Sequence, residues 1–383
     1  MELEQLLPAI SGMTWQHLIM IGVGVTLIYL AIAKKYEPTL QLPMGFGAIL
    51  VNIHLSSAIT QIDPATGEAL EGVLNIFFDA GIATEIFPLL IFIAIGAMID
   101  FSSLFRNPSL LLFGAAAQFG IFMTMVLAAL LGYDIREAAS IGIIGAADGP
   151  TSIVVASRFA PHMLGPISVA AYSYMALVPI IQPPVIKLLT SRKERLIRMK
   201  TDANRQISKK ALIAFPIVIT ITAGLIAPSS LALVGFLMFG NLIRECGVLN
   251  KLSLSAQNEL SSLVTILLGI TIASTMTADR FIRVDTLIII GLGLFAFVFD
   301  TFGGVIFAKF LNIFRKEDNK INPMIGACGI SAFPMSARVI HQMGQKEDPY
   351  NYLLMPAISA NVGGQIGSVV AGGIILTLVP LLG

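Results

Sequence analysis

Residues 144–152 read IGAADGPTS and lie in the middle of an apolar segment, residues 138–157. Gly149 favours a break in a helix, and Pro150 removes a backbone donor and disfavours helix in the residue before it. Interrupted backbone is tolerated at membrane depth only where it is buried in protein or lines a wet cavity. The stretch therefore predicts a re-entrant or broken helix with Asp148 at the break.

The composition is that of a membrane protein. Of 383 residues, 56% are hydrophobic and 12% are charged, whereas about a quarter of the residues in a soluble domain are charged. This excludes a soluble enzyme and predicts one integral membrane domain, residues 1–383. We expect an all-α polytopic fold of roughly ten spanning or re-entrant helices. The net charge of +1 provides no basic field for phosphates, so no nucleic acid is expected as a partner.

Basic residues predict the orientation in the membrane. The first apolar run, residues 17–33, ends at two lysines, and residues 191–210 contain eight Lys or Arg. The positive-inside rule places both regions in the cytoplasm, so we expect a multi-pass protein of the cell inner (cytoplasmic) membrane. Both regions can lie on the cytoplasmic side only if one of the apolar segments between them enters the membrane without crossing it completely. Residues 138–157 are the candidate for that segment.

The sequence contains a candidate internal repeat. Residues 144–158, IGAADGPTSIVVASR, resemble residues 325–338, IGACGISAFPMSAR. Paired interrupted helices indicate a transporter's binding site, and the repeat is expected to be inverted. The alternative is a chance similarity between small-residue helices. The predicted halves are residues 85–190 and 260–383, joined by a basic cytoplasmic loop, 191–210, and two helices, 211–250.

Asp148 is the main candidate for chemistry. A carboxylate in an otherwise uncharged membrane segment is a functional-site hypothesis by default. The alternative is that Asp148 only caps the helix that restarts at Pro150. The two interpretations are compatible, because a broken helix offers carbonyl oxygens and a carboxylate to Na⁺, and Thr151 and Ser152 add hydroxyl groups.

Two further side chains have both functional and structural interpretations. Tyr174 could place a phenol beside Asp148, or it could be an interfacial anchor. Arg338 could hold a carboxylate with its guanidinium, or it could be a charge at the cytoplasmic end of a helix.

The second copy of the repeat supplies other polar candidates. Asn322, Gly326 and Ser331 belong to a second irregular helix, whose free carbonyls suit a cation or a polar ligand. Asn361 lies in a glycine-rich helix together with Gln365 and Ser368. Packing of small residues explains the glycines of that helix but not its amide side chains.

Several of these motifs resemble one family. GAADGPT at 145–151 and AYSYMALVP at 171–179 are similar to the β subunit of the biotin-dependent sodium-pumping decarboxylases. That family includes the oxaloacetate, methylmalonyl-CoA and glutaconyl-CoA decarboxylases. The similarity extends to LPMGFGA at 42–48, to residues 322–339 and to Asn361, and so covers nearly the whole chain.

The resemblance implies that the chain removes CO2 from N-carboxybiotin and couples this step to Na⁺ export with proton uptake. It implies a catalytic group of Asp148, Tyr174 and Arg338. It implies Na⁺ or substrate contacts at Asp148, Asn322, Gly326, Ser331 and Asn361, with Asp148 and Asn361 as ligands of Na⁺.

The resemblance also implies partners. Carboxybiotin would arrive on a biotin carrier protein, and the complex would include a carboxyltransferase α subunit and a small membrane-anchor γ/δ subunit. The chain would lie in the lipid bilayer as a homo-oligomer, with a trimer as the candidate state. One alternative is an ion-coupled secondary transporter of an organic anion without catalysis, and another is a membrane anchor for a soluble complex.

Overall fold

The computed structural model describes residues 12–62, 66–199, 207–226, 228–332 and 335–382. Most of these residues are helical, which agrees with the all-α prediction. The described strands are β1, Gln61–Ile62, and β2, Ala69–Leu70, which pair antiparallel with Gln61 opposite Leu70.

The helices follow one another with short connections. In chain order the described α-helices are α1 Trp15–Ala33, α2 Pro38–Val51, α3 Val73–Phe77, α4 Ile86–Met98, α5 Ser102–Arg106, α6 Leu112–Ala117, α7 Phe119–Leu130, α8 Ile135–Gly142, α9 Gly149–Phe159, α10 Leu164–Leu189, α11 Arg192–Arg195, α12 Lys209–Ile226, α13 Leu231–Glu245, α14 Asn250–Ser255, α15 Ser261–Ile272, α16 Ala278–Phe281, α17 Val284–Ile313, α18 Met335–Glu347 and α19 Leu354–Leu382. Short 3₁₀ helices include Ile143–Ala146 and Pro323–Gly329.

Five helical stretches in the described residues are long and apolar enough to cross a bilayer: Trp15–Ala33, Pro108–Leu130, Asn250–Thr275, Val284–Ile313 and Leu354–Leu382. Two bent pairs raise the number to seven. They are Val73–Ala83 with Ile86–Met98, bent by 58°, and Pro161–Met175 with Leu177–Leu189, bent by 67°. The chain is therefore a membrane protein, and the figure of roughly ten spanning or re-entrant helices stays a prediction.

The helix through residues 138–157 is broken, as its sequence predicts. Helix α8 continues into the 3₁₀ helix Ile143–Ala146, and α9 begins only at Gly149. At the break Ala147 has a φ of 50°, a left-handed conformation that non-glycine residues rarely adopt, and Asp148 is extended. The regular backbone therefore stops where Asp148 lies.

A second break meets the first. The 3₁₀ helix Pro323–Gly329 precedes an irregular stretch, and α18 begins at Met335. The backbone N–H of Ser331 donates to the carbonyl of Ala146 at 3.1 Å, which joins the two interrupted segments. Phe333 and Pro334 lie outside the described residues. The inverted relation of the two copies, and the predicted halves 85–190 and 260–383, stay predictions.

Three long helices hold the two breaks in place. Gly304 of α17 packs so closely on Gly326 that a Cβ at either position would overlap the carbonyl of the other. Gln182 of α10 donates to the carbonyl of Ala327 at 2.8 Å and accepts from Ser336 at 3.0 Å, so α10 supports the second break. Helix α19 contacts the first break in turn, as described below.

Ion pairs connect the basic loop to the C-terminal end of α18. Arg195 Nε lies 2.7 Å from Glu347 Oε1, and Arg198 Nε lies 2.6 Å from Asp348 Oδ2. The side-chain amide of Asn322 donates to the carbonyls of Arg195 and Ile197 at 2.8 and 2.9 Å. We call residues 192–198 with these partners the loop clamp. Residues 200–206 of the predicted loop lie outside the described residues.

Replacing Asp348 by asparagine should loosen the loop clamp. The hydrogen bond from Arg198 lowers the pKa of Asp348. Because the pKa of Asp348 is lowered in the folded state, the Arg198–Asp348 pair contributes fully to the stability of the loop clamp above the unfolded-state pKa of about 4. This contribution is lost as the pH falls through the folded-state pKa. We expect several-fold faster amide hydrogen exchange of residues 192–198 in Asp348→Asn at neutral pH.

The matched control is Asp279→Asn, which removes an exposed carboxylate with no ion pair among the described residues. The loop clamp would be contradicted if the amide hydrogens of residues 192–198 exchanged equally fast in Asp348→Asn and in the wild-type chain.

Candidate cation site between two broken helices

Asp148 is buried in the break, with 3% of its surface exposed. It caps α9, accepting from the backbone N–H of Thr151 at 3.5 Å and from the Thr151 hydroxyl at 2.7 Å. The hydroxyl of Ser368, on α19, donates to the same carboxylate at 2.9 Å. No Lys, Arg or His forms an ion pair with Asp148 in the part of the chain that the structure describes.

Hydroxyl groups extend from Asp148 to the second break. Because Ser368 donates to Asp148, its hydroxyl accepts a hydrogen bond from the hydroxyl of Ser331, and the carbonyl oxygen of Gly364 lies 3.2 Å from the Ser331 hydroxyl. Carboxylate, hydroxyl and carbonyl oxygens from α9, α19 and the second break therefore converge. Broken helices supply such oxygens to Na⁺ in transporters. We call Asp148, Thr151, Ser331 and Ser368 the oxygen cluster.

Two amide side chains of α19 border the oxygen cluster. Asn361 donates to the carbonyls of Cys328 and Ile330 at 3.2 and 2.6 Å, and Gln365 donates to the carbonyl of Ser331. The side-chain oxygens of both amides are buried and have no partner among the described residues. Buried acceptors without a donor are costly, so these oxygens are available ligands for a cation.

Asn322 and Gly326 have other contacts. Asn322 caps the 3₁₀ helix Pro323–Gly329 by accepting from Met324, and its amide group is used by the loop clamp. Gly326 allows α17 to approach the second break. Neither residue is hydrogen bonded to the oxygen cluster.

Tyr174 and Arg338 also lie apart from the oxygen cluster. The Tyr174 hydroxyl donates to the carbonyl of Ile290 on α17, and its ring faces Gly293. Arg338 is exposed on α18 and forms no hydrogen bond or ion pair within the described residues. Of the predicted site residues, the structure thus brings Asp148, Ser331 and Asn361 together. It places the other four outside the oxygen cluster: Tyr174, Asn322, Gly326 and Arg338.

Tyr172, for which the sequence predicted no role, is the phenol next to Asp148. Its ring lies against Gly149, where a Cβ would overlap it, and its buried hydroxyl has no partner among the described residues. Residues two apart on a helix point about 200° apart, so Tyr172 and Tyr174 face different neighbours. Helical spacing predicts that divergence but not which phenol faces the break.

A cavity of about 940 Å³ lies next to the part of α17 that Tyr174 contacts. Ile288 and Ile289 line it, and the next residue, Ile290, accepts the hydrogen bond from Tyr174. Its charged lining includes Asp79, Glu137, His162, Arg280, Arg283 and Asp285. The mixture of both signs suits a hydrated vestibule.

Comparison with known proteins gives matches over almost the whole chain. The family described as the Na⁺-transporting oxaloacetate decarboxylase beta subunit matches residues 16–379. The methylmalonyl-CoA decarboxylase subunit beta of Propionigenium modestum is 48% identical over 382 residues, covering 96% of each chain. The glutaconyl-CoA decarboxylase subunit beta of Acidaminococcus fermentans is 49% identical over 367 residues, covering 96% of this chain and 94% of that one. The oxaloacetate decarboxylase beta chain of Klebsiella pneumoniae is 43% identical over an alignment of 434 positions, which covers 98% of this chain and 99% of that one.

Replacing Ser368 by alanine should weaken Na⁺ binding. The substitution removes one oxygen of the cluster and the donor that fixes Asp148. A hydrogen bond to a charged group contributes about 1.5 kcal/mol or more, so we expect the Na⁺ dissociation constant to rise about tenfold or more. Radioactive Na⁺ binding to the purified chain measures it.

Ser359→Ala is the control, because Ser359 lies on the same helix but donates to the carbonyls of Ser103 and Met355. Equal Na⁺ affinities for the two variants would argue against the oxygen cluster.

Proposed function

This chain belongs to the family of the Na⁺-transporting oxaloacetate decarboxylase beta subunits, and we propose that it couples decarboxylation of N-carboxybiotin to Na⁺ export with proton uptake. Membership confirms the resemblance carried by the motifs. The relatives are decarboxylase beta subunits, and the apolar helices agree with a subunit that works in the membrane.

One observation carries the proposal. Asp148 is a buried carboxylate in a broken helix, surrounded by oxygens and without a basic partner among the described residues. An unpaired carboxylate at membrane depth is costly, and a mobile cation removes that cost. Na⁺ or a proton is the cation that the chemistry of the oxygen cluster fits.

The two cations exclude one another at Asp148. Na⁺ needs the ionised carboxylate, whereas a proton neutralises it and leaves no charge to hold Na⁺. Moving one positive charge outward costs about 2.3 kcal/mol per 100 mV, and an incoming proton returns that amount. Exchange of the two ions at one site therefore limits the electrical work, and decarboxylation supplies the rest.

The chemical step consumes one proton. N-carboxybiotin is an anionic carbamate: its N–C bond breaks, CO2 leaves, and the ring nitrogen takes a proton to restore biotin. Arg338 is exposed, and its guanidinium is proposed to bind the carbamate. Tyr174, whose hydroxyl donates to Ile290 next to two residues that line the charged cavity, is proposed to pass the proton.

The partners follow from the reaction. We propose that a biotin carrier protein brings carboxybiotin to the cytoplasmic side of the cell inner membrane, and that the loop clamp and Arg338 face that side. A carboxyltransferase α subunit would load the carrier, and a small membrane-anchor γ/δ subunit would hold the complex together. The chain itself is proposed to form a homo-oligomer, with a trimer as the state to test.

Replacing Asp148 by asparagine should abolish pumping. The amide keeps the shape but has no charge for Na⁺, and losing a charge-assisted contact of about 3 kcal/mol reduces binding more than a hundredfold. We expect Na⁺ uptake into inverted vesicles containing the partner subunits to be driven by substrate, blocked by avidin and absent in Asp148→Asn. Asp279→Asn should pump like the wild-type chain.

Normal coupling in Asp148→Asn would contradict the role of this residue. Uptake that is insensitive to avidin would instead indicate an ion-coupled secondary transporter.

Replacing Arg338 by glutamine should weaken the use of carboxybiotin and leave Na⁺ affinity unchanged. Its guanidinium is proposed to contribute about 1.5 to 3 kcal/mol to carbamate binding, so the KM for carboxylated carrier should rise roughly tenfold to hundredfold. Steady-state decarboxylation at saturating Na⁺ tests this. Lys346→Gln, another exposed cation of α18, is the control, and equal KM values for both variants would exclude the assignment.

A further inference from the structure

A second carboxylate lies near the middle of α17. Asp300 is fully buried, and it is the only charged residue between Asp285 and Lys309. Neither of its carboxyl oxygens accepts a well-formed hydrogen bond from the described residues. A carboxyl in this position is costly whether its role is structural or functional, so it requires an explanation.

The packing around Asp300 leaves room for its carboxyl group. A Cβ at Gly120 would overlap Asp300 Oδ1, and a Cβ at Gly145 would lie 2.6 Å from Oδ2. Gly120 follows the interruption between α6 and α7, and Gly145 belongs to the 3₁₀ helix that leads to Asp148. The carboxyl group therefore lies against two irregular points of the backbone.

The surroundings of Asp300 differ in kind from the oxygen cluster. The polar groups that act on it are the backbone N–H groups of Gly120 and Ile121, which are donors. Na⁺ needs oxygen ligands, whereas a carboxyl that gains and loses a proton needs none. The two donors support the ionised carboxylate and burial supports the protonated form, so these surroundings suit a carboxyl that gains and loses a proton and do not supply the oxygens that Na⁺ needs.

None of the ionisable groups on the described elements packed against α17 forms an ion pair with Asp300. Those groups are Arg136 and Glu137 of α8, Tyr172, Tyr174 and Lys187 of α10, and Cys328 of the second break, with Asp285 and Lys309 on α17 itself. Glu137 contacts His162, Asp285 contacts Arg283, and Lys309 contacts Glu194. Arg136 and Lys187 are exposed.

We propose that Asp300 is a second proton-binding carboxyl, whose charge sets the affinity of the oxygen cluster for Na⁺. The inference rests on the proposed function. Ionised Asp300 favours a cation at Asp148, and protonated Asp300 weakens its binding. Gly145, which Asp300 contacts, is three positions before Asp148, so the Cα atoms of Gly145 and Asp148 are at most about 11 Å apart. Both carboxyl groups are buried, and charges in a water-poor interior interact over such distances.

The test is Na⁺ binding to the purified chain as a function of pH. Asp300→Asn fixes the group in its neutral form. At alkaline pH, where Asp300 of the wild-type chain is ionised, the variant should therefore bind Na⁺ about tenfold more weakly, the order of magnitude expected for one charge about 10 to 15 Å away at an effective dielectric constant near 20. The dependence of affinity on pH should also become shallower in the variant, because fewer protons leave as Na⁺ binds. Asp279→Asn should match the wild-type chain.

Labelling of the wild-type chain with a hydrophobic carbodiimide gives a second readout that needs no variant. The reagent reacts with protonated carboxyls, so modification of Asp300, measured by mass spectrometry, should decrease as the pH rises and when Na⁺ is added.

If Asp300→Asn binds Na⁺ with the affinity and the pH dependence of the wild-type chain, the inference about Asp300 is wrong, but the proposed function is not affected. Labelling of Asp300 that is absent or independent of pH would have the same meaning. A wild-type chain that binds no Na⁺ would overturn the proposed function and this inference with it.

Discussion

A carboxylate cannot be left bare at membrane depth, and this constraint explains most of the structure around Asp148. The side chain is buried without a basic partner among the described residues, so its charge must be balanced by hydrogen bonds, by a proton or by a bound cation. Thr151 and Ser368 provide hydrogen bonds but no charge. We propose that the remaining balance comes from an ion that enters and leaves, as transport requires.

The architecture follows from holding two irregular segments inside the membrane. Each interruption exposes backbone groups that need partners, and the two satisfy one another where Ser331 donates to Ala146. Helix α19 contributes Ser368 to the first break and Asn361 to the second, while α10 supports the second through Gln182. These contacts join Asp148 to the second break, which leads into α18 with Arg338, so we propose that a shift of either broken helix changes the oxygen ligands at Asp148.

The sequence predicted those features that depend on local chemistry. The break at Asp148 follows from Gly149 and Pro150 beside it, and the cap to Thr151 follows from a spacing of three residues. Contacts between distant parts of the chain were not predictable in the same way. Ser368 reaches Asp148 across 220 positions, because that contact depends on how α19 crosses α9. Asp300 is a different case, since a lone carboxylate inside a long apolar run was visible in the sequence and signals a buried ionisable group.

The central claim is that Na⁺ and a proton compete for Asp148. Infrared difference spectroscopy of the purified chain, recorded on addition of Na⁺, tests it most directly. We predict the loss of a protonated-carboxyl band and the gain of carboxylate bands in the wild-type chain, and loss of the Asp148 component of both changes in Asp148→Asn. A spectrum without carboxyl changes, or one that is identical in Asp148→Asn, would contradict the account.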